Sequence, residues 1–241
     1  MIFLRKEISR KHSNFYLHPM NKKELEFFPI MGEALTKKNT VKMDFSESNP
    51  ELIKVYLNNI SEFDGYVFGQ LAIGNYKYGI GGYLEHRAIY RRSPVFATAS
   101  AEFRNIHLGV DIWTLAGTPI YAPLDGIVHS FQDNDSFGNY GPTIILEHLY
   151  EGKVFYSLYG HLKRSNLLEL EKGMLIKKGA QFCHLGPYPE NGDWPPHVHF
   201  QLMTDLLGNE GDFPGVCSIN ELGKFEMICP NPNQLLTCEL L

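Results

Sequence analysis

From Tyr83 onward the chain is a series of short apolar runs that are separated by glycine, proline, asparagine and aspartate. Runs of this length between turn residues are typical of β-strands, and no long amphipathic helical pattern interrupts them. The sequence therefore predicts a mainly β fold with an antiparallel core. The clearest runs are at residues 118–123, 126–128, 143–146, 155–159, 174–176 and 198–202.

The residues before this series have a different pattern. Apolar residues in 22–35 recur at a helical spacing, and residues 41–45 alternate as a short strand would. The order Asn-Pro-Glu at 49–51 is typical of a helix start, and apolar positions from 52 to 60 fit one helical face. These signals predict a small α+β region.

A glycine cluster at 79–82 marks the change between the two patterns. We therefore predict a small α+β N-terminal region at residues 1–78 and a second domain at residues 79–241. From about residue 205 the second domain is expected to continue as a loop-rich tail that wraps the core.

Composition and charge exclude several classes of function. The 241 residues include 22 basic and 27 acidic side chains, a net charge of −5, and no basic stripe, so no nucleic-acid partner is expected. No apolar run is long enough for a transmembrane segment, and the first residues lack the apolar stretch of a secretory signal. We expect a cytoplasmic protein, or a periplasmic or extracellular one if a signal has been removed. The sequence indicates no oligomeric state.

The four cysteines all lie in the last quarter of the chain, and none of them forms a Cys-x-x-Cys pair. In a reducing compartment such cysteines are free or buried thiols rather than disulfides.

Two histidines near the end of the strand series are spaced for metal binding. His197 and His199 are two positions apart in a β-like run, so both imidazoles point to one side while Val198 faces the other. A neutral imidazole is a good zinc ligand. The spacing indicates a metal site on this strand, but it does not tell which of the two rings is the ligand.

An earlier pair of residues could complete such a site. His107 and Asp111 are four residues apart in an extended context, and a fully extended chain would separate them by roughly 13 Å. Zinc ligands lie about 2.0–2.2 Å from the metal, so the chain must bend between the two residues if both bind one ion. Gly109 is where a bend costs least. For this pair taken alone, a surface turn without any ligand is the alternative.

The two pairs together indicate a particular kind of site. Three nitrogen or oxygen ligands with an open fourth position are the arrangement of a catalytic zinc, which lowers the pKa of its bound water toward about 7. The cysteines lack the spacing of a structural zinc site. No glutamate lies in a His-Glu-x-x-His helix to act as the base, so the remaining histidines would have to transfer protons.

These polar residues lie in ordered motifs that resemble the lysostaphin-type, or LytM-like, zinc metalloendopeptidases, which are β-rich enzymes that cut peptide bonds in bacterial cell-wall peptidoglycan. The resemblance runs from about His107 to Leu202, less than half of the chain. The matching motifs are His-Leu-Gly-Val-Asp at 107–111, the run at 117–128, Tyr-Gly-His-Leu at 159–162, the run at 173–179 and Pro-His-Val-His-Phe at 196–200.

The resemblance implies a fold, an activity and a role for each residue. The catalytic core would be an antiparallel β-sheet or sandwich of the duplicated hybrid motif type, and the activity would be zinc-dependent hydrolysis of a peptide or peptidoglycan-like substrate. His107, Asp111 and His199 would hold Zn²⁺. His161 and His197 would be catalytic, since they would orient or deprotonate the attacking water and stabilise the oxyanion.

Two segments are similar to a subgroup whose members are fused to kinase-like and aminotransferase domains: Asn-Gly-x-Trp-Pro-Pro at 191–196 and the run at 83–90. They raise the alternative of a zinc-binding module or pseudo-enzyme that binds a small molecule or a partner enzyme domain. Glu85, His86 or Arg87 could then block the site, or could serve the structure alone.

The aromatic residues that could line a substrate groove, or cover the core as lids, are Tyr140, Tyr188 and Trp194.

Overall fold

The computed structural model of the protein describes residues 27–97 and 103–241. Twelve strands are present in these ranges, most of them at the positions of the short apolar runs. They are β1 (Thr40–Met43), β2 (Tyr78–Gly81), β3 (Ile106–His107), β4 (Val110–Trp113), β5 (Pro119–Tyr121), β6 (Gly126–Asn134), β7 (Gly141–Tyr150), β8 (Lys153–Gly160), β9 (Leu175–Ile176), β10 (Gln181–His184), β11 (His197–Met203) and β12 (Val216–Cys217).

Eight of the strands form one large sheet in the order β1-β2-β4-β11-β8-β7-β6-β9. All neighbours in this sheet are antiparallel except β1 and β2, which are parallel. Two short antiparallel pairs, β5 with β10 and β3 with β12, complete the β structure. The prediction of a mainly β fold with an antiparallel core is confirmed.

Helices are short and few in the described ranges. The α-helices are α1 (Ile60–Ile73), α2 (Leu222–Ile228) and α3 (Asn233–Leu236), and 3-10 helices occupy Leu52–Lys54, Ile89–Arg92, Pro94–Phe96, Arg164–Glu169 and Ile219–Glu221. Within residues 27–97 and 103–241, no helix has the length and apolar character needed to cross a bilayer.

The central strand β11 has a different environment on each face, although all seven of its residues are buried. Val198, Phe200 and Leu202 pack into the largest apolar core, whereas Met203 packs into a second core on the opposite face. Because side chains alternate along a strand, His197 and His199 lie on the face opposite the largest core. The sheet therefore presents polar side chains at its centre, in a buried position.

Two of the helical predictions for the N-terminal region are wrong. Residues 27–35 form turns rather than a helix, and residues 22–26 of that prediction lie outside the described residues. The Asn-Pro-Glu signal precedes only a single 3-10 turn, because Val55 adopts an extended backbone. The α-helix starts at Asn59, whose side-chain oxygen accepts hydrogen bonds from the backbone N–H groups of Ser61 and Glu62. This cap, typically worth about 1 kcal/mol, decides the start of α1.

The N-terminal region is joined to the large sheet. The predicted short strand is β1, and β2 contains the predicted domain boundary at 78/79. Beneath these strands the ring of Trp113 lies 5.0 Å from that of Phe45 and 6.2 Å from that of Phe63, measured between centroids. The aromatic cluster thus links α1 and the segment that follows β1 to β4. The division into two domains stays a prediction.

The C-terminal tail packs against the sheet and includes β12, α2 and α3. Leu235 and Cys238 are buried in the largest core, and Phe225 and Cys229 are buried in the second. All four cysteines are free and buried, which confirms the prediction for them.

Candidate metal centre

Three neighbouring strands at the centre of the sheet bring the predicted site residues together. The antiparallel register places His199 of β11 opposite Asp111 of β4, and on its other side opposite Gly160, the last residue of β8. His161 follows Gly160 directly, and His197 lies two positions from His199 on the same face. Strand pairing therefore positions Asp111, His197 and His199, and it brings the backbone of His161 next to them.

The fifth side chain, His107, reaches the site because the chain bends before Asp111. His107 ends β3, which pairs with β12, whereas Asp111 belongs to β4 in the large sheet. Gly109 lies between these strands and against His199, where an added Cβ would stand 2.7 Å from the ring atoms Cε1 and Nε2. A glycine is needed at this close approach.

Three of the side chains converge closely enough to hold one metal ion. Asp111 Oδ1 lies 3.2 Å from His107 Nε2 and 3.1 Å from His199 Nδ1, and these two nitrogens are 2.9 Å apart. All three residues are buried, and their candidate ligand atoms lie within 4.8 Å of one another. Two imidazole nitrogens and one carboxylate oxygen are a donor set that suits zinc.

The hydrogen bonds behind these ligand atoms fix which atoms face the centre. His107 Nδ1 lies 3.0 Å from the carbonyl oxygen of Gly82, and His199 Nε2 lies 2.8 Å from Gln201 Oε1. Since both oxygens can only accept, these ring nitrogens carry the protons. His107 Nε2 and His199 Nδ1 then direct lone pairs at each other, an arrangement that a bound cation stabilises. The site is therefore chemically suited to a cation.

His161 and His197 lie beside the three candidate ligands with one nitrogen each uncommitted. His161 Nδ1 donates to the backbone oxygen of Asn191 (2.8 Å), and His197 Nδ1 donates to that of Pro195 (2.7 Å). The two rings are 4.1 Å apart between centroids, and His197 Nε2 lies 4.0 Å from Asp111 Oδ1. In this tautomer each Nε2 can accept a proton.

The backbone of His161 has a left-handed conformation, with φ of 62°. This conformation is uncommon for residues other than glycine, and strain of this kind often lies at functional sites. Its N–H donates to the oxygen of Tyr140 (2.8 Å), and its own oxygen accepts from Gly186 N (2.9 Å). These bonds hold the His161 backbone, and so the ring, in place.

Burial keeps His107, His161 and His197 neutral, and the environment keeps Asp111 charged. Desolvation lowers the pKa of His107 to about 3 and that of His197 to about 4, and the pKa of His161 falls well below its usual value for the same reason. Burial alone would raise the pKa of Asp111, but the charged Arg87 guanidinium that contacts it holds this pKa well below its usual range. Around neutral pH the site thus combines neutral imidazoles with a carboxylate.

A cavity of about 220 Å³ leads to these residues. One wall comes from residues 89–96 and another from residues 209–216, and Asp111, His161, His197 and His199 lie in its lining. Of the predicted groove residues, Tyr140 and Trp194 line this cavity, whereas Tyr188 is 47% exposed and is not among the lining residues.

Glu85, His86 and Arg87, which could have blocked the site, differ in position and burial. Arg87 is buried, and its guanidinium contacts both Asp111 and Glu85. The other Glu85 oxygen accepts from the backbone N–H of Phe45 (3.1 Å), and His86 is exposed. Neither Glu85 nor His86 belongs to the group of candidate metal ligands.

Two residues that hold candidate site histidines in place, Gln201 and Asn191, were not among the sequence predictions. Gln201, which orients His199, could have been found because it lies two positions further along the same strand face. Asn191 is fully buried; its side chain bonds the backbone N–H and oxygen of Trp194, and its backbone oxygen holds His161. Asn191 is the first residue of the Asn-Gly-x-Trp motif, but the motif does not indicate that Asn191 contacts His161.

Gly109→Ala should weaken metal binding, because the added methyl group would displace the His199 ring and would stand 2.8 Å from Phe200 O. We expect zinc affinity to fall by about tenfold or more and the free energy of unfolding to fall by about 1–3 kcal/mol. Competition with a chromophoric chelator and urea unfolding measure these effects. Gly65→Ala in α1, where an added Cβ meets nothing within 4 Å, is the control. Unchanged zinc affinity in Gly109→Ala would contradict the placement of His199 as a ligand.

Comparison with known proteins gives one family and a set of distant structures. Residues 105–210 match the model of Peptidase family M23. No curated protein sequence matches the chain. Among solved structures, a zinc-containing peptidase from Vibrio cholerae is 24% identical with a TM-score of 0.32, and the match covers 46% of this chain but only 31% of that one.

Two further solved structures match over most of their own length. The catalytic domain of the antimicrobial peptidase lysostaphin from Staphylococcus simulans is 22% identical, with a TM-score of 0.35, and the match covers 51% of this chain and 80% of that one. For the catalytic domain of the prophage-encoded M23 protein EnpA from Enterococcus faecalis the values are 22%, 0.36, 48% and 81%. The segment at 105–210, which contains all five predicted site residues, is thus similar in sequence to Peptidase family M23.

Proposed function

We propose that the protein is a zinc-dependent metallopeptidase that hydrolyses peptide bonds. The observation that carries this proposal is the convergence of two imidazole nitrogens and one carboxylate oxygen beside two further imidazoles in one cavity. The family match of residues 105–210 supports the same activity.

His107, Asp111 and His199 would hold the ion through Nε2, Oδ1 and Nδ1. A zinc ion bound there would polarise the scissile carbonyl and activate a water molecule. Gly82, through its backbone oxygen, and Gln201, through its side chain, orient the two imidazole ligands. Their hydrogen bonds keep the ligand nitrogens unprotonated and aimed at one point.

His161 and His197 would carry the proton transfers. Each donates through Nδ1 to a backbone oxygen and therefore has an unprotonated Nε2 beside the candidate ligands. An imidazole of this kind can accept the proton of the attacking water, and as an imidazolium it can stabilise the oxyanion and protonate the leaving amine. Their lowered pKa values ensure that the rings are neutral, and thus able to accept, before the reaction begins.

The substrate class that we propose is a peptide, with peptidoglycan cross-links as the candidate target. The cavity has aromatic walls, to which Tyr90, Phe96 and Phe213 contribute together with Tyr140 and Trp194. Such walls suit a short peptide segment that enters between the segments at 89–96 and 209–216. Membership of the chain in the subgroup with fused kinase-like and aminotransferase domains stays a prediction.

The alternative, a zinc-binding module without activity, would be favoured by a permanent protein ligand opposite the three candidates. Glu85 is bonded to Arg87 and to the Phe45 backbone, and His86 is exposed. The arrangement of these two residues therefore lends the alternative no support.

Metal analysis and a hydrolysis assay test the proposal together. We expect about one zinc per chain, release of new amino termini from peptidoglycan fragments or short peptides, loss of this activity with a chelator and its return with zinc. Zinc-loaded protein that cleaves neither substrate would overturn the enzymatic proposal in favour of a binding module. Protein that binds no zinc would overturn both.

A further inference from the structure

The residue next to the candidate metal site that the proposed function leaves unexplained is Arg87. Its side chain is fully buried, and it lies outside the segment at 105–210 that matches the peptidase family. Burying a guanidinium is costly unless carboxylates and hydrogen bonds compensate for the lost water. The contacts of Arg87 therefore deserve a functional explanation.

Arg87 joins two carboxylates with different atoms of its planar fork. Its Nε donates to Glu85 Oε2 (2.7 Å), and its Nη1 donates to Asp111 Oδ2 and to the hydroxyl of Tyr90 (3.2 Å). Glu85 is anchored in turn by the backbone N–H of Phe45. The guanidinium consequently has a fixed position relative to β4.

The surrounding structure is shaped around this guanidinium. Gly81 of β2 leaves room for it, since a Cβ there would stand 2.7 Å from Arg87 Nη2. The guanidinium carbon lies 5.5 Å from the centroid of the Phe45 ring and 5.9 Å from that of Tyr90. Stability alone does not account for such an arrangement, because well-packed apolar residues often replace a buried ion pair without loss of stability.

The two oxygens of Asp111 have separate partners. Oδ2 is taken by Arg87, whereas Oδ1 faces His107 Nε2, His199 Nδ1 and, at 4.0 Å, His197 Nε2. A carboxylate that uses one oxygen for an arginine has only the other to offer to a metal ion. Coordination through both oxygens, which Ca²⁺ often uses, is thereby disfavoured.

We propose that Arg87 is a positioning residue that restricts Asp111 to coordination through Oδ1 and so sets the metal preference of the site. This inference rests on the proposed function, since it concerns the same metal site. Two nitrogens and one oxygen favour four-coordinate zinc, whereas an additional carboxylate oxygen would favour ions with higher coordination numbers. The segment between β2 and β3, which precedes the family-matched residues, thereby contributes to the metal chemistry of the sheet.

The test compares metal binding by the full chain and by variants at residues 87 and 85. Arg87→Met removes the fork, and Arg87→Lys keeps the charge but cannot serve Glu85 and Asp111 with two coplanar donors. The double variant Glu85→Gln/Arg87→Met also removes the charge of the partly buried Glu85, so that only one carboxylate is left without its arginine partner and the fold is less strongly destabilised than in Arg87→Met. Arg164→Lys, at an exposed arginine that pairs with Asp133, is the matched control.

Two measurements report on the site without any peptide substrate. Zinc affinity is determined by chelator competition, and Co²⁺ is used as a probe because its visible absorption is strong in four-coordinate sites and weak in six-coordinate sites. We expect both Arg87→Lys and the double variant to lose about tenfold or more in zinc affinity and to give a weaker cobalt spectrum. Arg164→Lys should match the unmodified protein in both measurements.

The outcomes separate this inference from the proposed function. Unmodified protein that binds neither zinc nor cobalt would overturn the proposed function itself. Unmodified protein that binds both, together with Arg87→Lys and double variants of equal zinc affinity and equal cobalt spectrum, would overturn the role of Arg87 alone. Circular dichroism of each variant excludes loss of the fold as the cause of a lowered affinity.

Discussion

His161→Ala is expected to lower the rate of peptide hydrolysis by about 10²–10⁴-fold, the usual contribution of a general acid–base residue. The variant removes the Nε2 that faces the cavity, whereas the three candidate ligands are bonded to Gly82, Gln201 and Arg87 rather than to His161. Zinc content should therefore stay at about one ion per chain. Release of amino termini measured beside the zinc content of the same sample gives the result.

The control for this variant is His129→Ala. His129 is bonded to Ser130 on β6 and is absent from the lining of the cavity, so its loss should leave hydrolysis unchanged. Full activity of His161→Ala would remove His161 from the mechanism. Loss of zinc together with activity would instead make His161 part of the metal site.

Asp111→Ala is expected to abolish zinc binding and to destabilise the fold. The substitution removes a candidate ligand and leaves the fully buried Arg87 with Glu85 as its remaining carboxylate. Breaking a buried ion pair by removing one partner costs about 3–5 kcal/mol. Zinc per chain, and the free energy of unfolding in urea with and without zinc, measure the two effects.

A second variant separates these two effects. Asp111→Ala/Arg87→Met removes both partners, so it should recover much of the lost stability without recovering zinc binding. An Asp111→Ala protein that still binds one zinc per chain would contradict the assignment of Asp111 as a ligand. A double variant as unstable as Asp111→Ala would show that the Arg87–Asp111 pair is not the cause of the destabilisation.

Local sequence patterns predicted the β core and the parts of the site that depend on strand geometry. The alternation at His197 and His199 holds because β11 is a regular strand, and the bend near Gly109 follows from the need to bring His107 toward Asp111. Both inferences use spacing over a few residues, where backbone geometry is nearly fixed.

Other features depend on contacts that spacing does not encode. The Asn-Pro-Glu signal at 49–51 predicts a helix start that the structure does not have, whereas α1 is capped by Asn59, which the sequence pattern did not indicate. The contact of Arg87 with Asp111 joins residues that are 24 positions apart in the chain. From the sequence, Arg87 could line the groove or have a structural role. Sequence patterns do not indicate that it contacts both Glu85 and Asp111.

One wall of the cavity, at residues 89–96, comes from outside the segment that matches the peptidase family. The strands that carry the imidazoles can be kept constant while the flanking region changes, because the flank touches the substrate space without supplying the histidines. Transplanting the matched segment alone into another scaffold would accordingly leave behind this wall, and with it Gly82 and Arg87, which hold His107 and Asp111 in place.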